Sequence, residues 1–257
     1  MSGSSYHCRC HQRQCSLGND LICPRDPVKL TIVIPTFNEA DNIGRLAERL
    51  LELVITRPCA VVVVDDGSSD GTPEVINSLI DRSDSVVLLS RLNKRGIFSA
   101  IQDGIQLLPS EYIAFMDADY SHPPEMVPRL VKEAATYDIV SASRYMKGGG
   151  IKAPVKRVIA SRGLNGICRF FLRLAATDVL GGFHAMRRTV YNELEFKYPA
   201  LWGEFDLELF YRAKKLRFSL KELPFIYFFR DFGVSKSVDM KYGIAYLRQV
   251  LRLLIRG

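Results

Sequence analysis

The chain has 257 residues, and 47% of them are hydrophobic, so it is long enough to form one large α/β domain with a sizeable core. It contains no run of about 18 uncharged apolar residues, which excludes a sequence segment that spans a bilayer by itself. The first residues contain no apolar core of the signal-peptide type, and we therefore expect a cytoplasmic protein.

Charge is distributed unevenly along the chain. Residues 1–140 carry 13 Lys/Arg and 19 Asp/Glu, whereas residues 141–257 carry 22 Lys/Arg and 9 Asp/Glu. The basic C-terminal half favours an anionic partner, which would be a phosphate, a nucleic acid or a lipid headgroup.

Residues 1–29 form a polar leader that contains four of the six cysteines together with His7 and His11. Thiolates and imidazoles are zinc ligands, but the spacing does not match the paired cysteine knuckles of common zinc sites. The alternative, which this spacing favours, is a disordered leader with reduced thiols. We therefore predict a disordered segment over residues 1–29 and a single domain over residues 30–257. The four cysteines are Cys8, Cys10, Cys15 and Cys23.

From Leu30 onward, strand and helix patterns alternate along the chain. Short apolar runs predict strands, and apolar residues at helical spacing follow several of them. Such an alternation indicates an α/β fold, with a mainly parallel sheet that is covered by helices on both faces. The predicted strands are LTIVIP, CAVVVVDD, SVVLLS, EYIAFMD and YDIVSAS.

Polar and acidic clusters follow three of these strands, at residues 35–39, 64–72 and 117–121. In such sheets, ligands bind beyond the carboxyl ends of the strands, so the three clusters should meet in one crevice. Several of their members also suit turns and helix caps without any binding role. These are Asn38, Ser68, Ser69 and Asp70.

Two carboxylates separated by one residue, Asp117 and Asp119, follow the fourth predicted strand. Like charges at one sheet edge repel each other unless a cation or hydrogen-bond donors offset them. Mg²⁺ and Mn²⁺ take oxygen ligands, often one or two carboxylates plus substrate phosphates. We therefore predict that both aspartates hold Mg²⁺ or Mn²⁺ bridging a diphosphate, whose departure the cation would stabilise.

Six motifs occur in order along the chain: IVIPTFNE, VVDDGSSDGT, MDADYSHPPE, SASRY, GGFHAMRR and LPFIYFFRDFGVSK. Together they resemble the polyprenyl-phosphate sugar synthases of the dolichol-phosphate mannose synthase type. These enzymes belong to family 2 of the inverting glycosyltransferases and have the GT-A fold, a Rossmann-like mixed sheet. The resemblance covers residues 30–256 and implies a nucleotide-sugar donor, usually GDP-mannose, and a polyprenyl phosphate acceptor. Related enzymes use UDP-glucose.

The resemblance also implies donor-binding residues, which lie in the first three motifs. The metal and diphosphate segment corresponds to Asp117, Ala118 and Asp119, and Ser121 stands where many relatives have a further metal ligand. The positions around the nucleoside are Pro35, Phe37 and Glu39, with Val63 or Val64 and Asp65 or Asp66 beside the base.

The acceptor would be an anionic nucleophile already, because a phosphate monoester has its second pKa near 6. Its transfer needs no general base, but cationic side chains must hold two anions together; Arg binds phosphate bidentately and Lys acts as a point charge. The loop at residues 145–154 is predicted to be a mobile flap over this phosphate, or a flexible connector. The predicted acceptor residues are Arg144, Arg157 (in preference to Arg162), Arg230 and Lys236, and the predicted catalytic set is Asp119, Arg144 and Arg230.

Two stretches, residues 163–175 and 242–257, combine apolar residues with arginines. In the second, Arg248, Arg252 and Arg256 recur every four residues and form a basic stripe. Basic amphipathic helices lie in the membrane interface, and the alternative is that the apolar faces pack on the sheet. For the C-terminal helix we predict a peripheral position on the cytoplasmic face of a membrane, reached directly or through a separate small membrane-anchor protein.

Two other functions remain open at this stage. A related enzyme that transfers sugar to a hydroxyl would need a general base, and Glu204 or Asp206 is available for it. A non-catalytic nucleic-acid binder would use the basic half, but the acidic strand ends would repel a polyanion. We therefore predict no nucleic-acid partner. His122 and His184 have no evident partner in the sequence and are predicted not to be catalytic.

Overall fold

A computed structural model describes residues 6–10, 13–15, 28–54, 58–92, 95–198, 200, 203–228 and 240–257. The strands in these residues are β1 Tyr6–Cys10, β2 Arg13–Cys15, β3 Val28–Thr36, β4 Cys59–Asp65, β5 Val86–Arg91, β6 Ser110–Phe115, β7 Ile139–Ser143, β8 Gly150–Lys152, β9 His184–Arg187, β10 Leu220–Pro224 and β11 Ile226–Phe228. The helices are α1 Ala40–Leu53, α2 Thr72–Ile80, α3 Ile97–Leu107, α4 Met126–Glu133, α5 Val155–Leu172, α6 Arg188–Glu193, α7 Phe205–Leu216 and α8 Met240–Arg256.

Nine strands form one sheet in the order β10-β7-β9-β6-β3-β4-β5-β1-β2. β3 pairs in parallel with β4 and β6, β4 pairs in parallel with β5, and β7 pairs in parallel with β10. β9 is antiparallel to both of its neighbours, β6 and β7. The five predicted strands are present as β3 to β7, and the mixed, mainly parallel sheet is confirmed. Because β3, β4, β6 and β7 point the same way, their carboxyl ends meet at one edge.

Helices cover both faces of this sheet, as the sequence predicts. α1, α2 and α4 contribute to the core on one face, whereas α3 and α5 to α8 contribute to the core on the other. Successive side chains of a strand point to opposite faces, so Val61 and Val63 of β4 lie in the first core and Val62 and Val64 in the second. All four valines are fully buried.

Helix α3 packs closely against the sheet at Gly104. A Cβ atom on Gly104 would lie 2.5 Å from Val33 Cγ1 and 2.9 Å from Val64 Cγ2. Valine side chains are stiff at χ1, so the helix must move. We expect Gly104→Ala to lower the free energy of unfolding by about 1–3 kcal/mol in urea titrations. Gly163→Ala in α5, where a Cβ meets nothing within 4 Å, should instead be neutral or stabilising by up to about 1 kcal/mol.

The leader differs from the sequence prediction where the structure describes it. Residues 6–10 and 13–15 are not disordered but form β1 and β2, and β1 pairs antiparallel with β5. An edge strand such as β5 offers a row of unpaired backbone groups, and a short polar segment can use them without contributing an apolar core. Cys8 and Cys15 are register partners in this ladder, whereas His11 and Cys23 lie outside the described residues, so the zinc site stays a hypothesis.

The C-terminal amphipathic helix is present as α8, which packs against α5 and α7. One face of α8 is buried, through Tyr246, Gln249, Val250 and Leu253. The remaining surface exposes Ile244, Leu247, Leu251, Leu254 and Ile255. Among the described helices, none combines the length and apolar character that a membrane crossing requires.

Candidate active site

The loop after β4 is tied to the loop after β3 by short polar side chains. Asn38 Oδ1 accepts a hydrogen bond from Ser69 N at 3.0 Å, and Asn38 N donates to Ser68 Oγ at 2.8 Å. Asp70 Oδ2 accepts from Ala40 N at 3.0 Å, and the Asp70 carboxylate also bonds Thr72. These residues therefore join two loops, which is the turn-and-cap role that the sequence left open for them.

The adjacent acids, Asp65 and Asp66, both accept hydrogen bonds from the protein. Asp65 Oδ2 accepts from Gly67 N at 3.1 Å and Ser68 N at 3.0 Å, which shapes the turn after β4. Asp66 forms an ion pair with Arg91 and accepts from Gly96 N at 2.9 Å. Burial raises the pKa of Asp66, and the Arg91 charge opposes that shift. Each carboxylate thus orders the loop that follows β4.

Arg91 is a site residue that the sequence analysis missed. Its side chain is completely buried at the end of β5, where it bonds Asp66, Asp103 and Ser99. A charged residue that ends an apolar strand beside acidic loops was the available signal, because a buried charge needs a counter-ion. Arg91 therefore fixes the Asp66 loop to the start of α3.

The predicted nucleoside-binding residues after β3 lie at the expected edge. The Arg95 guanidinium carbon lies 4.5 Å above the centre of the Phe37 ring, so this aromatic face has a cation stacked on it. Glu39 occupies the N-cap position of α1 without a side-chain capping hydrogen bond, and its carboxylate accepts from Asn42 Nδ2 at 2.9 Å. Pro35 lines a small pocket described below.

Two predicted base-contacting residues do not reach this edge. Val63 and Val64 are interior residues of β4, and each side chain is fully buried in one of the two cores. Ala118 is likewise buried, between the two aspartates of its motif. Their side chains support the sheet edge from beneath, because period-two alternation directs strand side chains into the packed layers.

The two carboxylates after β6 have different environments. The Asp117 side chain is 47% exposed, whereas Asp119 is 5% exposed and accepts a hydrogen bond from Ser121 N at 3.1 Å. Tyr120 between Asp119 and Ser121 has φ of 59°, so the chain turns sharply there. One carboxylate thus faces the crevice, and the other is set into its wall.

His122 holds this turn in place. Asp117 N donates to His122 Nδ1 at 3.0 Å, and the ring stacks on Phe183 with centroids 4.7 Å apart. Burial lowers the pKa of His122 to about 4, so the imidazole is neutral near pH 7 and its Nδ1 accepts. The prediction that His122 has no partner is therefore wrong, and its contacts give it a positioning role.

The donor set fits a hard divalent cation that the substrate helps to bind. Among the described residues, no group of three or more His, Cys, Asp or Glu side chains is placed to hold a metal ion together. Two carboxylates on one turn match the Mg²⁺ pattern, in which water and substrate phosphates supply the remaining ligands. Ser121 is fully buried behind Asp119, and its role as a ligand stays a prediction.

Arg144, which follows β7, is fixed by a buried acid. Its Nε donates to Asp178 Oδ2 at 2.7 Å, and its Nη2 donates to Asp178 Oδ1 at 2.8 Å. The Arg144 charge holds the pKa of Asp178 below its usual range, against the effect of burial. Glu222 in turn accepts from Thr177 N and Asp178 N, at 2.9 Å and 3.1 Å from its Oε1. Arg144 is thus held rigidly, and Asp178 already compensates its charge.

Of the other cationic residues considered for the acceptor phosphate, the structure describes Arg157 and Arg162. Arg157 lies in the first turn of α5, whereas the Arg162 guanidinium lies 6.0 Å from the centre of the Tyr145 ring, which Arg144 also contacts. Arg162 and Arg144 thus face the same ring, that of Tyr145, and the choice of Arg157 for the acceptor stays a prediction. Arg230 and Lys236 lie outside the described residues.

The predicted flap at residues 145–154 contains regular structure. Its strand β8 pairs in parallel with β11, and Gly150 N donates to Phe225 O at 3.0 Å. This pairing ties the loop to the segment that ends at Phe228, two residues before Arg230. The glycine-rich loop is therefore anchored to β11, because its backbone finds a strand partner there.

Asp206, one of two acids weighed as a general base, is committed to a structural contact. Its Oδ2 accepts from Gly182 N at 2.7 Å, and its Oδ1 lies 3.0 Å from His184 Nε2. Asp206 and His184 are both fully buried. The prediction that His184 has no partner is therefore wrong. Gly182 has φ of 64°, and Asp206 thus fixes a left-handed turn at the wall of the crevice.

A family model places this site among known enzymes. The model described as glycosyl transferase family 2 matches residues 31–195, which contain every acidic strand end described above. The chain belongs to glycosyltransferase family 2. It is 32% identical over 235 residues to a polyprenol monophosphomannose synthase of Mycolicibacterium smegmatis, covering 88% of this chain and 87% of the relative. It is 31% identical to a dolichol-phosphate mannosyltransferase of Pyrococcus furiosus, covering 88% of this chain but only 64% of the relative.

Solved structures confirm the fold of this family 2 glycosyltransferase. A glucosyl-3-phosphoglycerate synthase of Mycobacterium tuberculosis, crystallised with Mn²⁺, UDP and glucosyl-3-phosphoglycerate, has a TM-score of 0.63 at 18% identity, covering 89% of this chain and 79% of that one. A mannosyl-3-phosphoglycerate synthase of Rubrobacter xylanophilus has a TM-score of 0.66 at 18% identity, covering 88% and 74%. At this identity the likeness establishes the GT-A type of fold and nothing finer.

Proposed function

We propose that this glycosyltransferase transfers mannose from GDP-mannose to a polyprenyl phosphate, with inversion, in the presence of Mg²⁺ or Mn²⁺. The observation that carries the proposal is the position of Asp117 and Asp119, which lie between the nucleoside loops after β3 and β4 and the arginine after β7. Two relatives named for mannose transfer to polyprenol or dolichol phosphate, at 31–32% identity, support the proposed sugar and acceptor.

The reaction requires a bond from an acceptor phosphate oxygen to the anomeric carbon, while the bond from that carbon to the diphosphate oxygen breaks. The nucleotide diphosphate leaves with the bonding electron pair, and no proton has to move, because the phosphate monoester is ionised near neutral pH. Asp117 and Asp119 would hold the cation, whose charge would stabilise the leaving diphosphate. Arg144 and Arg230 would hold the acceptor phosphate beside the donor, although the acceptor and the donor are both anions and repel each other.

Transfer to a hydroxyl is the second candidate, and the geometry disfavours one of its two bases. Both oxygens of Asp206 already bond Gly182 and His184, and the carboxylate is buried. Such a carboxylate is poorly placed to accept a proton from a substrate, which must come within hydrogen-bond reach. Glu204 is also buried, at the N-cap of α7.

A screen of donors and acceptors tests the proposal. GDP-mannose and UDP-glucose are each incubated with a short polyprenyl phosphate or with the matching polyprenol, with Mg²⁺, with Mn²⁺ or with EDTA, and products are separated by chromatography. We expect mannosylated polyprenyl phosphate only when a divalent cation is present. Products from the unphosphorylated polyprenol would favour the hydroxyl-transfer enzyme, and glucosyl products would correct the donor.

Arg230→Ala is expected to lower kcat/KM for polyprenyl phosphate by about 10- to 150-fold. The reason is the loss of one charge-assisted hydrogen bond, worth about 1.5–3 kcal/mol. Arg82→Ala is the matched control, because Arg82 is exposed just before β5, at the opposite edge of the sheet. Steady-state rates at varied acceptor concentration measure the effect. Equal kinetics of the two variants would assign Arg230 to the solvated surface.

We further propose that the enzyme works as a peripheral protein on the cytoplasmic face of a membrane. The exposed apolar residues of α8 lie beside Arg248, Arg252 and Arg256, and α5, which contacts α8, exposes Phe170 and Phe171. Contiguous exposed apolar surface next to basic residues is typical of helices that bind anionic lipid. A separate membrane-anchor protein is the alternative occupant of this surface.

Leu251→Glu should weaken sedimentation with anionic vesicles by about tenfold or more. A buried leucine contributes about 1.5–3 kcal/mol, and the new carboxylate is repelled by the lipid. Leu216→Glu replaces an exposed leucine of α7 and should bind as the wild type does. If the wild-type protein did not sediment with anionic vesicles but did sediment with native membranes, binding through the anchor protein would replace direct lipid binding as the explanation.

A further inference from the structure

The first turn of α8 contributes a wall to the active-site crevice. A pocket of about 70 Å³ lies between the carboxyl ends of the strands and this helix. Its lining includes Pro35 and Asp117 at the strand ends, Gly182 and Asp206, and Tyr242 of α8. This volume is small compared with the pockets of about 300–1,000 Å³ that enclose whole ligands, so a ligand would enter with one edge only.

Tyr242 is one of a pair of tyrosines that turn their hydroxyls to the same place. The two hydroxyl oxygens of Tyr242 and Tyr246 lie 2.8 Å apart, within hydrogen-bond distance. Both approach Gly203, where a Cβ would lie 2.6 Å from the Tyr246 hydroxyl and 3.4 Å from the Tyr242 hydroxyl. Because Gly203 has no side chain, the two hydroxyls fit beside it, just before α7 begins.

Both phenols keep their protons at neutral pH. Burial raises the pKa of Tyr242 and of Tyr246 well above the ordinary value, so neither ionises. A phenol accepts one hydrogen bond and donates another. The Tyr242 hydroxyl, which lies within hydrogen-bond distance of the Tyr246 hydroxyl, thus has the chemistry to donate to a hydroxyl group of a ligand in the pocket.

The neighbours of Tyr242 favour the hexose of the donor as the group beside its hydroxyl. Asp117, which lines the same pocket, is one of the two residues proposed to hold the cation on the diphosphate, and in a nucleotide sugar the hexose is bonded to that diphosphate. Asp206, which also lines the pocket, is already bonded to Gly182 and His184. A phenol can donate to a hydroxyl group, and the polar edge of a sugar presents such groups.

We propose that Tyr242 Oη donates a hydrogen bond to a hydroxyl of the transferred hexose, which makes Tyr242 a sugar-specificity residue. The inference rests on the proposed function for the class of substrate. It gives α8 a second role, because the helix that exposes an apolar surface also closes the sugar end of the donor site.

The test measures the contribution of the hexose to binding, without any acceptor. Calorimetric affinities for GDP-mannose and for GDP are compared in wild type, Tyr242→Phe and Tyr246→Phe, each with Mg²⁺. Tyr242→Phe should weaken GDP-mannose by about 2- to 13-fold, the range for one neutral hydrogen bond, and should leave GDP unchanged. Tyr246→Phe, which removes the same group one helical turn away, should have a smaller effect. Equal weakening of GDP and GDP-mannose by Tyr242→Phe would overturn the proposal.

A series of monodeoxy donors identifies the hydroxyl concerned. One deoxy-mannose donor should bind wild type and Tyr242→Phe equally, because its partner group is already absent, while the other deoxy donors should still distinguish them. If Tyr242→Phe weakened the binding of every deoxy donor to the same extent, Tyr242 would have a packing role only. Thermal unfolding of each variant confirms that the fold is intact. A failed acceptor screen would overturn the proposed acceptor only, since these binding measurements contain no acceptor.

Discussion

Replacing Asp119 by asparagine is expected to lower the rate of sugar transfer by on the order of a thousandfold or more. Stabilising a departing diphosphate through a bound cation contributes several kcal/mol, and each 1.36 kcal/mol is a factor of ten in rate. Asparagine keeps the shape of the side chain and an oxygen that can accept from Ser121 N, but it removes the charge. Because Asp119 is nearly buried, this substitution is a cleaner test than truncation to alanine.

The matched control is Glu111→Gln, which removes an exposed carboxylate at the other end of the same strand, β6. We expect it to retain wild-type activity. Titration of GDP in the presence and absence of Mn²⁺ gives a second readout, since Asp119→Asn should abolish the gain in GDP affinity that Mn²⁺ provides to the wild type. An Asp119→Asn enzyme with near-normal turnover at saturating Mg²⁺ or Mn²⁺ would show the metal assignment to be wrong.

Asp178→Ala is expected to lower the free energy of unfolding by about 3 kcal/mol, because it leaves the Arg144 charge, whose side chain is only 11% exposed, without its partner. For a chain of this length the loss corresponds to a Tm decrease of about 6–12 °C. The pKa of Asp178 is lowered by folding, so its contribution is fully present above about pH 3.9 and is lost as the pH falls below that value.

A double variant separates the ion pair from simple loss of packing. Asp178→Ala combined with Arg144→Met removes both charges, and it should be more stable than Asp178→Ala alone although it is inactive toward the phosphate acceptor. Scanning calorimetry and urea titration at pH 7 measure the stabilities. If the double variant were no more stable than the single one, the buried charge would not be the cause of the destabilisation.

The sequence predicted the parts of the fold that depend on local pattern. β3 to β7 are apolar runs bounded by polar turns, so their existence and the edge at which Asp117 and Asp65 meet follow from periodicity and strand direction. β9 was missed because it has four residues and no apolar run of its own. β1 was missed because its pairing depends on the open edge of β5, which is not a property of the leader.

The missed site residues depend on contacts between distant parts of the chain. Asp178 is 34 positions from Arg144, and nothing in its neighbourhood distinguishes it from a surface acid. The sequence places Tyr242 only within an amphipathic helix. Hydrophobic periodicity shows which residues of a helix share a face, but it does not show which of them borders a crevice. Pattern reasoning therefore finds residues that act at a strand end and misses those that act through a partner.

The segment from Thr177 to β9 joins the two halves of the crevice in a short length of chain. Asp178 orients Arg144, which we propose to bind the acceptor phosphate, and Gly182 lines the pocket that we propose for the hexose of the donor. Under this proposal the recognition of donor and acceptor is not modular. Exchanging this segment to alter the choice of sugar would also disturb Arg144, so engineered specificity for the two substrates would have to be optimised together.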